Sequence, residues 1–261
     1  MTEDAIMAGE ELTVLVPVRI LEGEQVPAAL MDVLSSVSVV LLGYHVIPEQ
    51  TAPEQARTQF GEQARSELDD VAEAFRNAGG DVEARVVFTG DATQTFERIA
   101  VEEKADAILL LNPAPSVERI FVALSEGINT ERIAELTSAV AAGTDVTVTL
   151  FHVATSEDER AAGEQLLDKT ARILSEKGVA TDDIEREVAV SDAPIQLLSD
   201  VASEDSDLVV LGESRPTVRE LVFGEPSERM AERTLAPILV VRRLPALTAE
   251  EDDAETANDE S

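Results

Sequence analysis

The chain repeats itself, and the repeat decides the architecture before any single motif does. Residues 12–18 in the first half correspond to residues 119–124 in the second, each a short β-rich run entering a helical stretch. Residues 37–46 correspond to residues 145–153, and both runs end on a His-Val pair, His45-Val46 and His152-Val153. A long helix of mixed polar and apolar residues follows in each half, over 55–78 and 157–177, closed by Gly79-Gly80 and by Gly178. Residues 81–88 and 184–190 alternate as half-exposed strands do. Gly90-Asp91-Ala92 and Ser191-Asp192-Ala193 open the next helices, with the aspartate placed as N-cap. Both halves then finish in a buried strand, over 105–111 and 206–211. The pattern β-α-β-α-β-α-β occurs twice, which predicts two tandem doubly wound α/β domains with parallel sheets.

Only the second copy continues, through a loop, a helix over 226–234 and a final strand over 238–242. The first copy is truncated after its fourth strand. Asn112-Pro113-Ala114-Pro115-Ser116 then offers fewer residues than a parallel crossover needs, so the second copy is expected to start a separate sheet, turned relative to the first. The bare edge left on the first copy requires a cover, either a partner or the second copy's final strand. The expected organisation is an extension over 1–10, a first domain over 11–115, a second over 116–243 and a tail over 244–261. That tail carries Glu250, Glu251, Asp252, Asp253, Glu255, Asp259 and Glu260 with no base from 249 onward, the composition of a disordered, solvating segment.

Charge narrows the partners. The formal net charge is -33, and Lys104, Lys169 and Lys177 are the only lysines among 20 basic residues. Such a balance resembles proteins of salt-loving organisms, whose carboxylates keep them hydrated where molar salt shortens the Debye length to about 3 Å. Nucleic acid is excluded as a partner, because phosphate recognition rests on Lys and Arg. With no cysteine, the chain has no disulfide, thiol catalysis or thiolate metal site. No apolar run reaches the roughly 20 residues of a membrane span, and the N-terminus lacks the basic start of a signal peptide, so a cytoplasmic location without membrane insertion is expected.

The most specific stretch is Ser206-Asp207-Leu208-Val209-Val210-Leu211-Gly212, followed by Gly224-Glu225-Pro226 and then Ala236-Pro237-Ile238-Leu239-Val240-Val241-Arg242. It resembles the closing third of a universal stress protein domain, and the likeness extends, more weakly, over the first half, in the tandem haloarchaeal manner. The resemblance implies a Rossmann-like fold with an adenine-nucleotide site at the carboxyl ends of the strands. Its phosphates would meet a Gly-x-x-Gly turn and a Gly-Ser pair at a helix start.

This chain departs from that pattern. Arg215 replaces the second glycine, the loop is one residue short, and Glu225 replaces the serine. A carboxylate about 4 Å from a phosphate charge costs on the order of 4 kcal/mol at an effective dielectric of 20. The aspartate that such a site uses after the first strand falls on Arg19 in one copy and Ser125 in the other, and Asn112 stands where the second copy has Gly212. The candidate nucleotide site is therefore Ser125, Gly212, Arg215, Gly224 and Glu225, in degenerate form.

His45 and His152 read as structural histidines, since a metal needs three or four converging ligands. No nucleophile elbow, Walker loop or zinc-protease helix occurs. The reading that follows is a non-enzymatic stress-response or regulatory module without cofactor. It would work through protein contacts or self-association at the edge strand 238–241. Two alternatives stand beside it: a sensor binding ATP or AMP through the second domain, and a regulatory subunit docking on a membrane transporter.

Overall fold

In a computed structural model the described residues are 11–48, 50–125, 127–204, 206–213 and 236–243. The first half runs β1 (Thr13–Arg19), α1 (Ala28–Leu34), β2 (Ser38–Val46), α2 (Pro53–Asn77), β3 (Asp81–Thr89), α3 (Ala92–Glu102) and β4 (Ala107–Leu110). The second runs β5 (Arg119–Leu124), α4 (Thr130–Ala141), β6 (Thr147–Ala154), α5 (Arg160–Glu176), β7 (Ile184–Val190), α6 (Pro194–Glu204) and β8 (Leu208–Gly212), and adds β9 (Ile238–Val241). The fold is a doubly wound, Rossmann-like α/β structure, as the repeat predicts.

Caps explain several boundaries. Asp91 accepts the Gln94 amide at 2.9 Å and starts α3. Gly79 and Gly178 take φ of +91° and +102°, and the amide of the following residue reaches back to the Phe75 and Leu174 carbonyls respectively, ending α2 and α5 in the same way. Asp192 does not cap α6. That helix begins at Pro194, which suits a first helical position because its missing N–H has no partner to lose, and Asp192 is left one residue too early.

The nine strands of the described residues form one sheet, in the order β3-β2-β1-β4-β9-β8-β5-β6-β7. Every neighbouring pair is parallel except β4 and β9, which are antiparallel. The expectation of a separate second sheet is therefore corrected. The second half is indeed turned over, and the turn is what joins the sheets: it brings the start of β5 to the sheet edge where β4 ends. The linker then has only the three strand spacings across β9 and β8 to span, about 15 Å, without any crossover.

The edge strand proposed for partner contact is corrected as well. β9 pairs with β4 over Ala107↔Val241 to Leu110↔Ile238 and with β8 over Val209↔Ile238 to Gly212↔Val241. Its four residues are at most 1% exposed. A strand with both ladders filled has no amide left to offer a partner, and the second copy's final strand is itself the cover that the first copy's bare edge requires.

One face of the sheet carries a continuous core shared by both halves, with Val16, Leu41, Leu109, Ile120, Leu150 and Leu239 among the buried residues. On this face lie α1, α2, α4 and α5. The opposite face carries two smaller clusters, one under α3 around Phe96 and Ile99, the other under α6 around Phe121 and Phe151, with Leu110 packed against both.

Candidate functional site

The carboxyl ends of β1 and β5 are where a doubly wound sheet presents its loops to a ligand. In the first half the chain's own side chains occupy that place. The Arg19 amide donates to the Glu24 carboxylate, and the Leu21 amide donates to Glu67 Oε2 at 2.8 Å. Leu21 and Gly23 both adopt left-handed backbone, with φ of +68° and +78°, so the loop curls back over the strand end. The Arg19 Nε donates to the Tyr44 hydroxyl at 3.2 Å, which raises the guanidinium above its ordinary pKa. Tyr44 is buried edge-on against Phe96, with ring centroids 4.8 Å apart, and burial pushes its phenol up despite the arginine. The ladders place Leu111, not Asn112, in the position of Gly212; Asn112, matching Glu213, donates through Nδ2 to the Ala236 carbonyl at 3.0 Å, beside the start of β9.

In the second half Ser125 is exposed, directly after β5, and Gly212 is buried at the end of the adjacent β8. The sequence-predicted pair is therefore brought to neighbouring strand ends. A Cβ on Gly212 would lie 2.8 Å from Ile133 Cδ1 and 3.2 Å from Ile128, so the close approach of Ile128 and α4 requires glycine there without any phosphate. Arg215, Gly224 and Glu225 lie outside the described residues. Glu213, the residue after β8, donates its amide to the Val241 carbonyl and accepts the Arg243 amide, tying the strand end to β9.

The histidines are not equivalent, although the shared His-Val pair made them look so. Asp106 and Asp207 accept the amides of Thr13 and Arg119, which fixes these as corresponding residues at the starts of β1 and β5. Thr13 pairs with Ser38, and Arg119 with Thr147, so His152 matches Gly43, and His45 lies one pleat further on. His152 is buried, holds the Leu124 carbonyl through Nδ1 at 2.9 Å and packs its ring on Gly163 of α5. In the first half Gly43 leaves that space to Leu68. The His45 Nδ1 is buried without a hydrogen-bond partner, its ring 6.2 Å from those of Phe60 and Phe88. Among the described residues no group of three or more potential ligands is placed to hold a metal.

Sequence reasoning passed over the most buried charge. Asp106, 2% exposed, binds the Thr13 amide at 2.8 Å through Oδ2 and the Arg132 guanidinium of α4 through Oδ1, with Nε at 2.9 Å. Arg132 also donates to Glu135, which accepts from Lys177, the residue that caps α5, at 3.3 Å. The signal was present as the twin Ala-Asp and Ser-Asp steps before β4 and β8. What it could not reveal is an arginine from the other half.

Residues 116–242 match the Universal stress protein family. That half of the chain is a universal stress protein domain. Two solved structures cover nearly all of the chain. A universal stress protein of Archaeoglobus fulgidus is 15% identical, with a TM-score of 0.59 over 88% of this chain and 96% of its own. A Pseudomonas aeruginosa protein of unknown function is 13% identical, with a TM-score of 0.50 over 89% of this chain and 93% of its own. At such identities the likeness establishes the stress-protein fold across both halves. No curated protein matches the sequence. Among the described residues no helix is long and apolar enough to cross a membrane.

Proposed function

We propose that this stress-protein fold serves as a non-catalytic regulatory module that works through protein contacts, with no nucleotide held by its first half. The observation that carries the reading is the self-filled end of β1. The backbone donor nearest the expected ligand position, the Arg19 amide, already holds the Glu24 carboxylate, and Arg19 itself replaces the aspartate. A bound nucleotide would have to break that charge-assisted hydrogen bond and enter beside Glu22, Glu24 and Glu67, all unfavourable for a phosphate.

A second reading, an adenine-nucleotide sensor, is favoured by one observation: exposed Ser125 and Gly212 do share a strand edge in the second half. A neutral hydroxyl contributes only about 0.5–1.5 kcal/mol net, so Ser125 cannot supply the binding alone. Calorimetry with ATP in molar KCl separates the two. The protein-contact reading expects no heat from wild type and binding gained only on combining Arg215→Gly with Glu225→Ser. Micromolar binding by wild type that Ser125→Ala weakens would transfer the function to the sensor.

A further inference from the structure

The two halves serve as controls for one another, because shared caps and ladders align them. The caps at Gly79 and Gly178 pair Phe75 with Leu174, and hence Leu68-Asp69 of α2 with Leu167-Asp168 of α5. The ladders pair Leu41 with Ala84 in one half and Leu150 with Arg186 in the other, so Ala84 corresponds to Arg186. In both halves a groove runs between the long helix and the outer edge strand, floored by these matching leucines.

The second groove is crossed by its own polar contacts. Arg186 Nη1 donates to Asp168 at 3.0 Å, and Arg160 donates to the Val188 carbonyl at 2.9 Å and to Glu157 at 2.8 Å. Three changes undo this in the first half. Ala84 stands for Arg186, Gly61 for Arg160, and Arg65 for Glu164. The first groove, about 350 Å³ against about 280 Å³ for the second, thereby loses the contacts that cross its counterpart, and a carboxylate on its rim becomes a guanidinium. Among the described residues Arg65 has no hydrogen bond or ion pair, and Arg57 has only an exposed contact with Glu54 at 3.7 Å. Arg85 is already held by Glu102 and Glu103. Carboxylates outnumber bases 53 to 20 in this chain, so a groove that loses its acidic rim residue and leaves an arginine unpaired runs against the composition.

We propose that the α2–β3 groove of the first half binds a small organic anion, a carboxylate or phosphate ester with an apolar body. The planar guanidinium of Arg65, with Arg57, takes the charged group, and the body lies along Leu68, Val86 and Phe88. Asp69, without a partner among the described residues, repels the charged group and so orients the ligand toward the arginines. The groove shares no lining residue with the strand-end contacts weighed above, and either reading can fail without the other.

Ligand-observed NMR titration of the full chain with phenyl phosphate and with benzoate, at constant ionic strength, tests the site. Wild type is expected to bind at least one probe saturably, with a Kd of about 1 mM or below. Arg65→Glu restores the charge found in the second groove and is expected to weaken binding at least about tenfold, and Ala84→Leu, which fills the groove without changing its charge, is expected to weaken it as well. Asp69→Asn is expected to tighten it, and Arg186→Ala, in the other groove, to leave it unchanged, with circular dichroism verifying that each variant is folded. No saturable binding of either probe by wild type, binding undiminished in Arg65→Glu or in Ala84→Leu, or binding weakened by Asp69→Asn would overturn the proposal.

Discussion

Asp106 and Asp207 stand one residue before β4 and β8, and each turns a carboxylate onto the backbone at the start of the neighbouring first strand. In the second half the device stays local: Asp207 Oδ2 accepts the Glu118 and Arg119 amides, and the Arg119 side chain stays half exposed, 3.9 Å away. In the first half the same aspartate has a second task. Its other oxygen is held by Arg132, from the opposite half, and the Asp106 carbonyl accepts the Arg242 amide just beyond β9 at 2.7 Å. The Arg242 guanidinium adds bonds to the Ala100 and Ala105 carbonyls. A repeated local motif has thus become, in one copy only, the polar joint between two halves, because the shared strand β9 brings α4 and Arg242 against it.

The largest test breaks the shared strand. Leu239→Pro removes a ladder donor from a strand paired on both sides and forces a ring into a fully buried position. A loss of more than about 4 kcal/mol is expected, enough to abolish cooperative folding of both halves. Independent melting of the two halves in calorimetry would break the claim that β9 makes them one unit.

The aspartates come next. Asp106→Asn takes from the largely buried Arg132 the more buried of its two counterions, leaving only Glu135, and is expected to cost about 3 kcal/mol in urea unfolding. Asp207→Asn loses only the strength of hydrogen bonds to backbone amides, about 1–2 kcal/mol. Equal costs would show that the joint contributes nothing beyond the local device.

Gly163→Ala sharpens the contrast between the helices. An alanine in mid-helix normally gains up to about 1 kcal/mol over glycine, and Ala64 holds the matching place in α2. Here the added Cβ overlaps the His152 ring, so the sign is expected to reverse, with a net loss of about 1–3 kcal/mol in chemical denaturation.

The smallest effect is a pH dependence at the joint. Burial pushes the Glu135 carboxyl up, but hydrogen bonds from Arg132 and Lys177 outweigh it and hold its pKa below the ordinary range. A folded-state value below the unfolded one gives stability that is complete above the unfolded value, about 4.3, and is lost as pH falls through the folded value. Glu135→Gln is therefore expected to flatten the melting profile slightly below that pH, and an unchanged acid limb would remove Glu135 from the joint.

Much of this fold is legible in period and punctuation. The alternation of β3 and β7, the apolar runs of β4 and β8 and the glycines after α2 and α5 announce local structure that each segment's own residues dictate. The candidate site is less so. Ser125 and Gly212 do meet, but the closure of the first site depends on Glu24 and Glu67, two unremarkable acidic residues placed by a loop turn and a distant helix. The histidines mislead for a related reason, since a two-residue match says nothing of ladder register.

By itself the sequence determined the twice-occurring β-α pattern, the doubly wound class, the missing fourth-strand neighbour in the first half and the excess of negative charge, because all of these are properties of local pattern and composition. Only the tertiary structure decided that β9 lies at the centre rather than at an edge, that Asp106 meets Arg132, and that one of two matching grooves lacks the polar contacts that cross the other. Those depend on which segments, more than a hundred residues apart in the case of β4 and β9, complete each other's hydrogen bonds and charges.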